Sequence, residues 1–137
     1  MPLFYADASA LVKLVRDEPE SAALRAFLGD GDLVSSELVL TEVPRAIRRA
    51  AGRDPDLPVD ELIGRAGQLV DAFGLVPVDR GLLMAAGALA EPALRALDAI
   101  HITAAIAVGP LDAFVSYDER QAAAARLAGL RTVAPGG

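Results

Sequence analysis

The sequence predicts an α/β fold, a central parallel five-stranded sheet carrying helices on both faces. Short apolar runs alternate with amphipathic stretches of helical period along the whole chain, the pattern of parallel strands joined by helical crossovers. The first run, Leu3-Phe4-Tyr5-Ala6, shows no polar alternation, as suits a strand buried on both faces. A length of 137 residues suits one core rather than two, so residues 1–137 are expected to form a single domain.

The elements follow in order. The first strand ends at Asp7, and Ala10, Leu11, Leu14 and Val15 then recur with helical spacing. A second helix starts near Pro19-Glu20, carries Ala23, Leu24, Phe27 and Leu28 on one face, and ends at Gly29-Asp30-Gly31-Asp32. That G-x-G fragment follows a helix instead of opening one, so it reads as a turn and not a phosphate loop. Residues 33–35 form a second strand, with Ser35 or Ser36 expected to cap the next helix. This helix runs to about Ala51 and stacks Val39, Val43, Ala46, Ile47 and Ala50; Pro44 inside it removes a backbone bond and predicts a kink or an irregular early turn. After a loop over 52–58, a helix carries Val59, Leu62, Ile63, Ala66, Leu69, Val70 and Phe73. Residues 74–78 form the third strand, and Asp79 begins a helix to about Ala90 that Gly81 and Gly87 weaken by about 1 kcal/mol each. A helix over 97–108 leads to the fourth strand, 113–116. Asp118 then opens a helix with Gln121 as its capping-box partner and Gly129 at its end, before a fifth strand at 131–134.

Composition excludes several classes of function. The chain is 53% hydrophobic and 23% charged, which argues against long disordered tails. It has no cysteine, which removes disulfides, thiolate zinc sites and cysteine nucleophiles. No apolar run is long enough to span a bilayer, and the opening MPLFYADASA lacks the basic and apolar regions of a secretory signal. A soluble, cytoplasmic protein is expected. The net charge of −6 argues against passive adhesion to nucleic acid, although bound divalent ions would invert the charge of a local site.

Ligands of open parallel sheets bind beyond the carboxyl ends of the strands, where strand order reverses. Asp7 ends the first strand, Asp118 follows the fourth by two residues, and Asp98 begins the helix leading into it. Glu42 lies within a helix at the edge of an apolar stripe, where an inward carboxylate is costly without a partner or cation. Each has an ordinary reading as well: Asp7, Asp98 and Asp118 as helix caps, Glu42 as an ion-pair partner of Arg45 or Arg49. Four acids with no matched bases beside three of them suit a hard ion, Mg²⁺ or Mn²⁺. Such an ion, alone or as one of two, would offset their repulsion, activate water and stabilise charge on a phosphodiester.

Other chemistries lack their parts. His101 is the only histidine, so cleavage by a histidine pair is excluded, and its place between Ile100 and Ile102 reads as packed and structural. Neither a P-loop nor a G-x-S-x-G serine is present. Ser9 reads as a helix-start serine that can also bond Asp7 or water at the site. Arg45, Arg48, Arg49 and Arg53 are the only basic concentration; Arg45 and Arg49, one turn apart, are placed to steer a phosphate backbone toward the acids.

Four segments carry a family resemblance: Asp7-Ala8-Ser9-Ala10-Leu11-Val12-Lys13, Ser36-Glu37-Leu38-Val39-Leu40-Thr41-Glu42-Val43, Leu97-Asp98-Ala99-Ile100-His101-Ile102-Thr103-Ala104-Ala105 and Val115-Ser116-Tyr117-Asp118. In order and spacing they resemble the four acidic motifs of PIN-domain nucleases, most closely the VapC-type toxins of bacterial toxin–antitoxin pairs. The resemblance implies a three-layer α/β/α sandwich and RNA cleavage dependent on Mg²⁺ or Mn²⁺. It also implies a homodimer inhibited by a cognate antitoxin. Asp7, Glu42 and Asp98 then match the metal-site acids and Asp118 the fourth, least dependable one. Two other classes remain for comparison. A phosphoacceptor receiver domain would need an early acidic pair and a late lysine, whereas Lys13 is the sole lysine. A PIN-like binding module without catalysis would keep the fold and lose the chemistry.

Overall fold

The computed structural model describes residues 1–137. The chain order is β1 (Leu3–Ala6), α1 (Ala8–Val15), α2 (Ser21–Leu28), β2 (Asp32–Ser36), α3 (Val39–Ala51), α4 (Val59–Asp71), β3 (Gly74–Val76), α5 (Arg80–Gly87), α6 (Ala96–Val108), β4 (Ala113–Val115), α7 (Glu119–Leu127) and β5 (Thr132–Val133). The strands form one parallel sheet in the order β3-β2-β1-β4-β5. From β1 the chain adds β2 and β3 on one side, then returns to place β4 and β5 on the other. The order therefore reverses at β1 and β4, whose carboxyl ends frame a crevice.

Side-chain alternation in the strands divides the interior in two. Phe4 and Ala6 of β1 with Ala113 and Val115 of β4 pack against Leu11, Leu24, Val43, Ile47 and Leu62 from α1, α2, α3 and α4. Tyr5 and Phe114 point the other way and stack 5.1 Å apart, covered by Leu82, Ile102 and Ala125 from α5, α6 and α7. Both crossovers that build the β1-β2-β3 side thus lie on one face, and those that build the β4-β5 side on the other. This is the three-layer α/β/α sandwich the sequence predicts. In α6 every residue from Ala99 to Ala105 is buried, so this helix is apolar all round and any polar group on it needs a partner inside. No helix is long and apolar enough to cross a membrane.

The boundaries differ from expectation in a few places, each with a local cause. Neither Ser35 nor Ser36 caps α3: Ser35 Oγ donates to the Ala6 carbonyl across the sheet (2.6 Å), and Ser36 Oγ accepts from Leu38 N (3.2 Å) in the turn before the helix. α3 runs unbroken through Pro44. Its opening turn is irregular, with Leu40 N and Thr41 N donating three residues back, to the Glu37 and Leu38 carbonyls. The third strand stops at Val76, because Pro77 has no N–H to continue the ladder. The helix capped by Asp79 stops at Gly87 instead of reaching Ala90. Gly129, at φ 87°, supplies the left-handed residue that ends α7.

Ile47 is fully buried at the contact of α3 with the sheet. Ile47→Ala is expected to lower stability by about 2–5 kcal/mol in urea denaturation. Leu127→Ala, on a side chain that is mostly exposed, is expected to change it by less than about 0.5 kcal/mol.

Candidate active site

The crevice at the carboxyl ends of β1 and β4 is organised around Asp7. Its backbone N–H donates to the Val115 carbonyl of β4 (3.2 Å), and its side chain caps α1 by accepting from Ala10 N (3.2 Å). Ser9 Oγ donates to Oδ1 (2.6 Å), and Ser116 Oγ donates to Oδ2. Ser9 Oγ in turn accepts from Tyr117 N (2.8 Å), so one hydroxyl ties the end of β1 to the segment after β4. Asp7 is only 4% exposed and forms no ion pair. Burial pushes its pKa above the ordinary carboxylate range, an effect partly offset by Ser116, Ser9 and the nearby His101. The capping role and the site role coincide in one residue.

Glu42 and Asp98 each sit in the first turn of a helix, α3 and α6. Glu42 sits in the first turn of α3 and lines a groove of about 370 Å³ with Ser9, Arg45, Arg49 and Leu97. It forms no ion pair with Arg45 or Arg49; instead its Oε1 accepts from His101 Nε2 at 2.6 Å. Asp98 is the third residue of α6 and not its cap, which is Arg95. Its Oδ2 is buried without a hydrogen-bond partner. A carboxylate oxygen withdrawn from water with nothing to pair it is costly, and a cation is the simplest group that would repay it.

Asp118 lies apart. It is exposed, and its Oδ1 is occupied in capping α7 by accepting from Arg120 N (3.0 Å) and Gln121 N (3.1 Å). The box is one-sided, since Gln121 Oε1 has no partner. Asp118 faces a second hollow, lined also by Lys13, Ser116, Tyr117 and Arg126. Its link to the centre is through Ser116, whose Oγ accepts from Asp118 N (3.1 Å).

The oxygen-only acids are the donors a hard divalent ion takes, and the orphaned Asp98 Oδ2 supports that fit. As the side chains stand, no three of them fall within a single ion's reach. Three residues of the site escaped sequence reasoning: Tyr5, Ser116 and His101. His101 is buried, as expected, yet it is no mere filler: Nδ1 lies 2.7 Å from the Tyr5 hydroxyl while Nε2 holds Glu42. Spacing carried a signal. His101 follows Asp98 by three residues on α6, a spacing that puts the two on one side of the helix.

The sequence matches the PIN domain family over residues 4–127. It is 40% identical to Ribonuclease VapC35 of Mycobacterium tuberculosis over 98% of both chains. It is 39% identical to Ribonuclease VapC46 of the same organism over 98% of this chain and 99% of that one. Among solved structures, the fold is shared with M. tuberculosis VapC20, a sarcin-ricin loop cleaving toxin, at TM-score 0.70 and 16% identity, over 96% of this chain and 99% of that one. It is shared as well with a chain of VapBC2 from Rickettsia felis, solved with a promoter DNA fragment, at TM-score 0.66 and 10% identity, over 97% and 98%. The structural likenesses speak for the fold, and the sequence matches for the family. The chain belongs to the PIN-domain family, among the VapC ribonuclease toxins.

Proposed function

We propose that this chain is a cytoplasmic endoribonuclease dependent on Mg²⁺ or Mn²⁺, the toxin of a toxin–antitoxin pair, with Asp7, Glu42 and Asp98 holding the ion. The observation that carries the reading is a set of carboxylates that pair with no lysine or arginine, with one oxygen of Asp98 buried and unpaired. A bound divalent ion supplies a Lewis acid for the phosphoryl oxygen and lowers the pKa of a water beside it. The chain's own residues do the rest. Ser9 and Ser116 hold Asp7 in one orientation, so that it meets the ion without reorganising. Arg45 and Arg49 stand on the groove wall beside Glu42, placed to hold the phosphates that flank the cleaved bond. Asp118, bonded to its own helix, serves at the rim of the site and contributes least. A single domain over 1–137, a homodimer and a protein antitoxin complete the reading, the last supported by the fold shared with the R. felis VapBC2 complex.

Four outcomes test it. Purified chain incubated with total cellular RNA is expected to yield discrete fragments with Mg²⁺ or Mn²⁺ and none with EDTA. Asp98→Asn is expected to cut at least about a hundredfold more slowly, more than follows from changing a group behind a metal ligand; wild-type rates in that variant would overturn the assignment.

Asp7→Asn is expected to abolish cleavage while its melting temperature stays level or rises. The folded pKa of Asp7 is raised, so its contribution to stability is fully present at low pH and declines as pH rises through that pKa. The gap in stability between Asp7→Asn and the parent should therefore widen in the variant's favour from acid to neutral pH, as read by denaturant titration.

Arg45→Ala with Arg49→Ala is expected to raise KM for RNA and leave Mn²⁺ affinity unchanged. The dependence of log K on log salt should become shallower by about one for each phosphate that the variant no longer neutralises.

A further inference from the structure

The polar chain behind Glu42 is the feature the family assignment does not use. Tyr5 is fully buried in the sheet between Phe114 and α6, and its hydroxyl lies 2.7 Å from His101 Nδ1. His101 is 2% exposed and reaches Glu42 Oε1 with Nε2 at 2.6 Å. Glu42 itself is partly exposed at the groove, and its hydrogen bond to His101 engages only one carboxylate oxygen. The imidazole therefore spans from the sheet interior to a surface carboxylate, with both ring nitrogens engaged.

We propose that Tyr5 and His101 form a positioning relay that orients Glu42 for metal binding, the Tyr5 hydroxyl fixing the imidazole tautomer so that Nε2–H donates to Glu42. This rests on the metal-site reading above. The direction of the relay follows from donor count. An ionised Glu42 carboxylate only accepts, so Nε2 must carry a proton toward it, and the Tyr5 phenol, protonated at neutral pH, donates to Nδ1. Nδ1 then accepts, and in the neutral ring the remaining proton must sit on Nε2, facing the carboxylate. A glutamate has three side-chain torsions to fix on binding an ion. A short bond to a histidine locked in a buried helix removes much of that freedom beforehand and leaves Oε2 for the ion. His101 touches neither substrate nor ion in this arrangement; it acts through Glu42.

The alternative use of the same bond is a latch that withholds Glu42 from the ion, and it predicts the opposite sign. Mn²⁺ affinity measured by calorimetry on the whole chain separates the two. His101→Leu, which removes the donor, is expected to weaken Mn²⁺ binding about 10–100-fold. His101→Gln, which keeps an N–H donor at the reach of Nε2, is expected to retain most of the affinity. Tyr5→Phe, which deletes one oxygen, should fall between them. In RNA cleavage the deficit should appear in kcat at limiting Mn²⁺, be recovered by excess Mn²⁺ and leave KM for RNA unchanged; a purely structural role would follow melting temperature instead and would not be rescued by metal. Because His101 is the only histidine, imidazole ¹⁵N spectra give a metal-free readout. A single Nε2–H tautomer in the parent and a mixture in Tyr5→Phe support the relay, whereas an Nδ1–H ring overturns it whatever the variants do. Unchanged or tighter Mn²⁺ binding in His101→Leu overturns the relay alone, provided that Asp98→Asn loses Mn²⁺. A parent chain that binds no Mn²⁺ overturns the metal reading and the relay together.

Discussion

The buried carboxylate of Asp7 is the constraint on which the rest of the structure depends. It stands where the strand order reverses, and its own hydrogen bonds close the gap between the two halves of the sheet: Ser9 on the β1 side and Ser116 on the β4 side each give it a hydroxyl. Those bonds satisfy the oxygens without neutralising them. A hydroxyl stabilises an anion far less than a guanidinium would, which is why the pKa still rises. The fold therefore keeps a charge-hungry centre instead of a stable ion pair. That is a poor choice for stability and a good one for a site that must accept a cation.

The same logic extends to the other acids through the helices that carry them. Asp7 caps α1, Glu42 and Asp98 lie in the first turns of α3 and α6, and Asp118 caps α7. Each of these four helix N-termini thus offers its positive end to the acid it carries, worth about 0.3–1 kcal/mol. Backbone dipoles make the cluster tolerable before any ion binds, and they do so without arginines that would compete with the ion for the carboxylates. The arginines that are present, Arg45 and Arg49, stand on the outer wall of the groove and leave the acids alone. A chain of net charge −6 can in this way present cations to a phosphate backbone locally, while the rest of the surface repels nonspecific RNA.

Most of the fold was legible because it rests on period and punctuation. Apolar runs located every strand, and Asp7, Asp79 and Asp118 announced their helices as caps that the structure retains. Ser35 and Ser36 misled because a serine at a strand end is read as a cap, while the sheet and the turn offered their hydroxyls nearer partners. The site was legible in its acids and illegible in what holds them. Ser9 could be placed near Asp7 because the two are close in sequence, but Ser116 meets the same carboxylate across 109 positions of chain. The Tyr5–His101–Glu42 chain is likewise built from three separate elements. Contacts of that kind arise only when the register of β1 with β4 and the seating of α6 are set, and no local pattern encodes them.

α6 shows why such a chain is more than a satisfied histidine. Every residue from Ala99 to Ala105 is buried, so the helix is held from all sides and His101 cannot move without it. Asp98 is one turn earlier on the same helix, with one carboxylate oxygen buried and unpaired. Glu42 belongs to α3 on the opposite face of the sheet, yet its carboxylate is fastened to α6 through His101. The two acids least constrained by their own backbones are thereby referred to one rigid element, and Asp7 to the strand beside it. Pro44, two residues after Glu42, stiffens the remaining link, since the first turns of α3 lose a backbone bond and gain a fixed φ at that point. In the proposed site the Glu42 carboxylate is then held as well, and ligands fixed beforehand bind an ion with less ordering entropy than carboxylates that must be gathered.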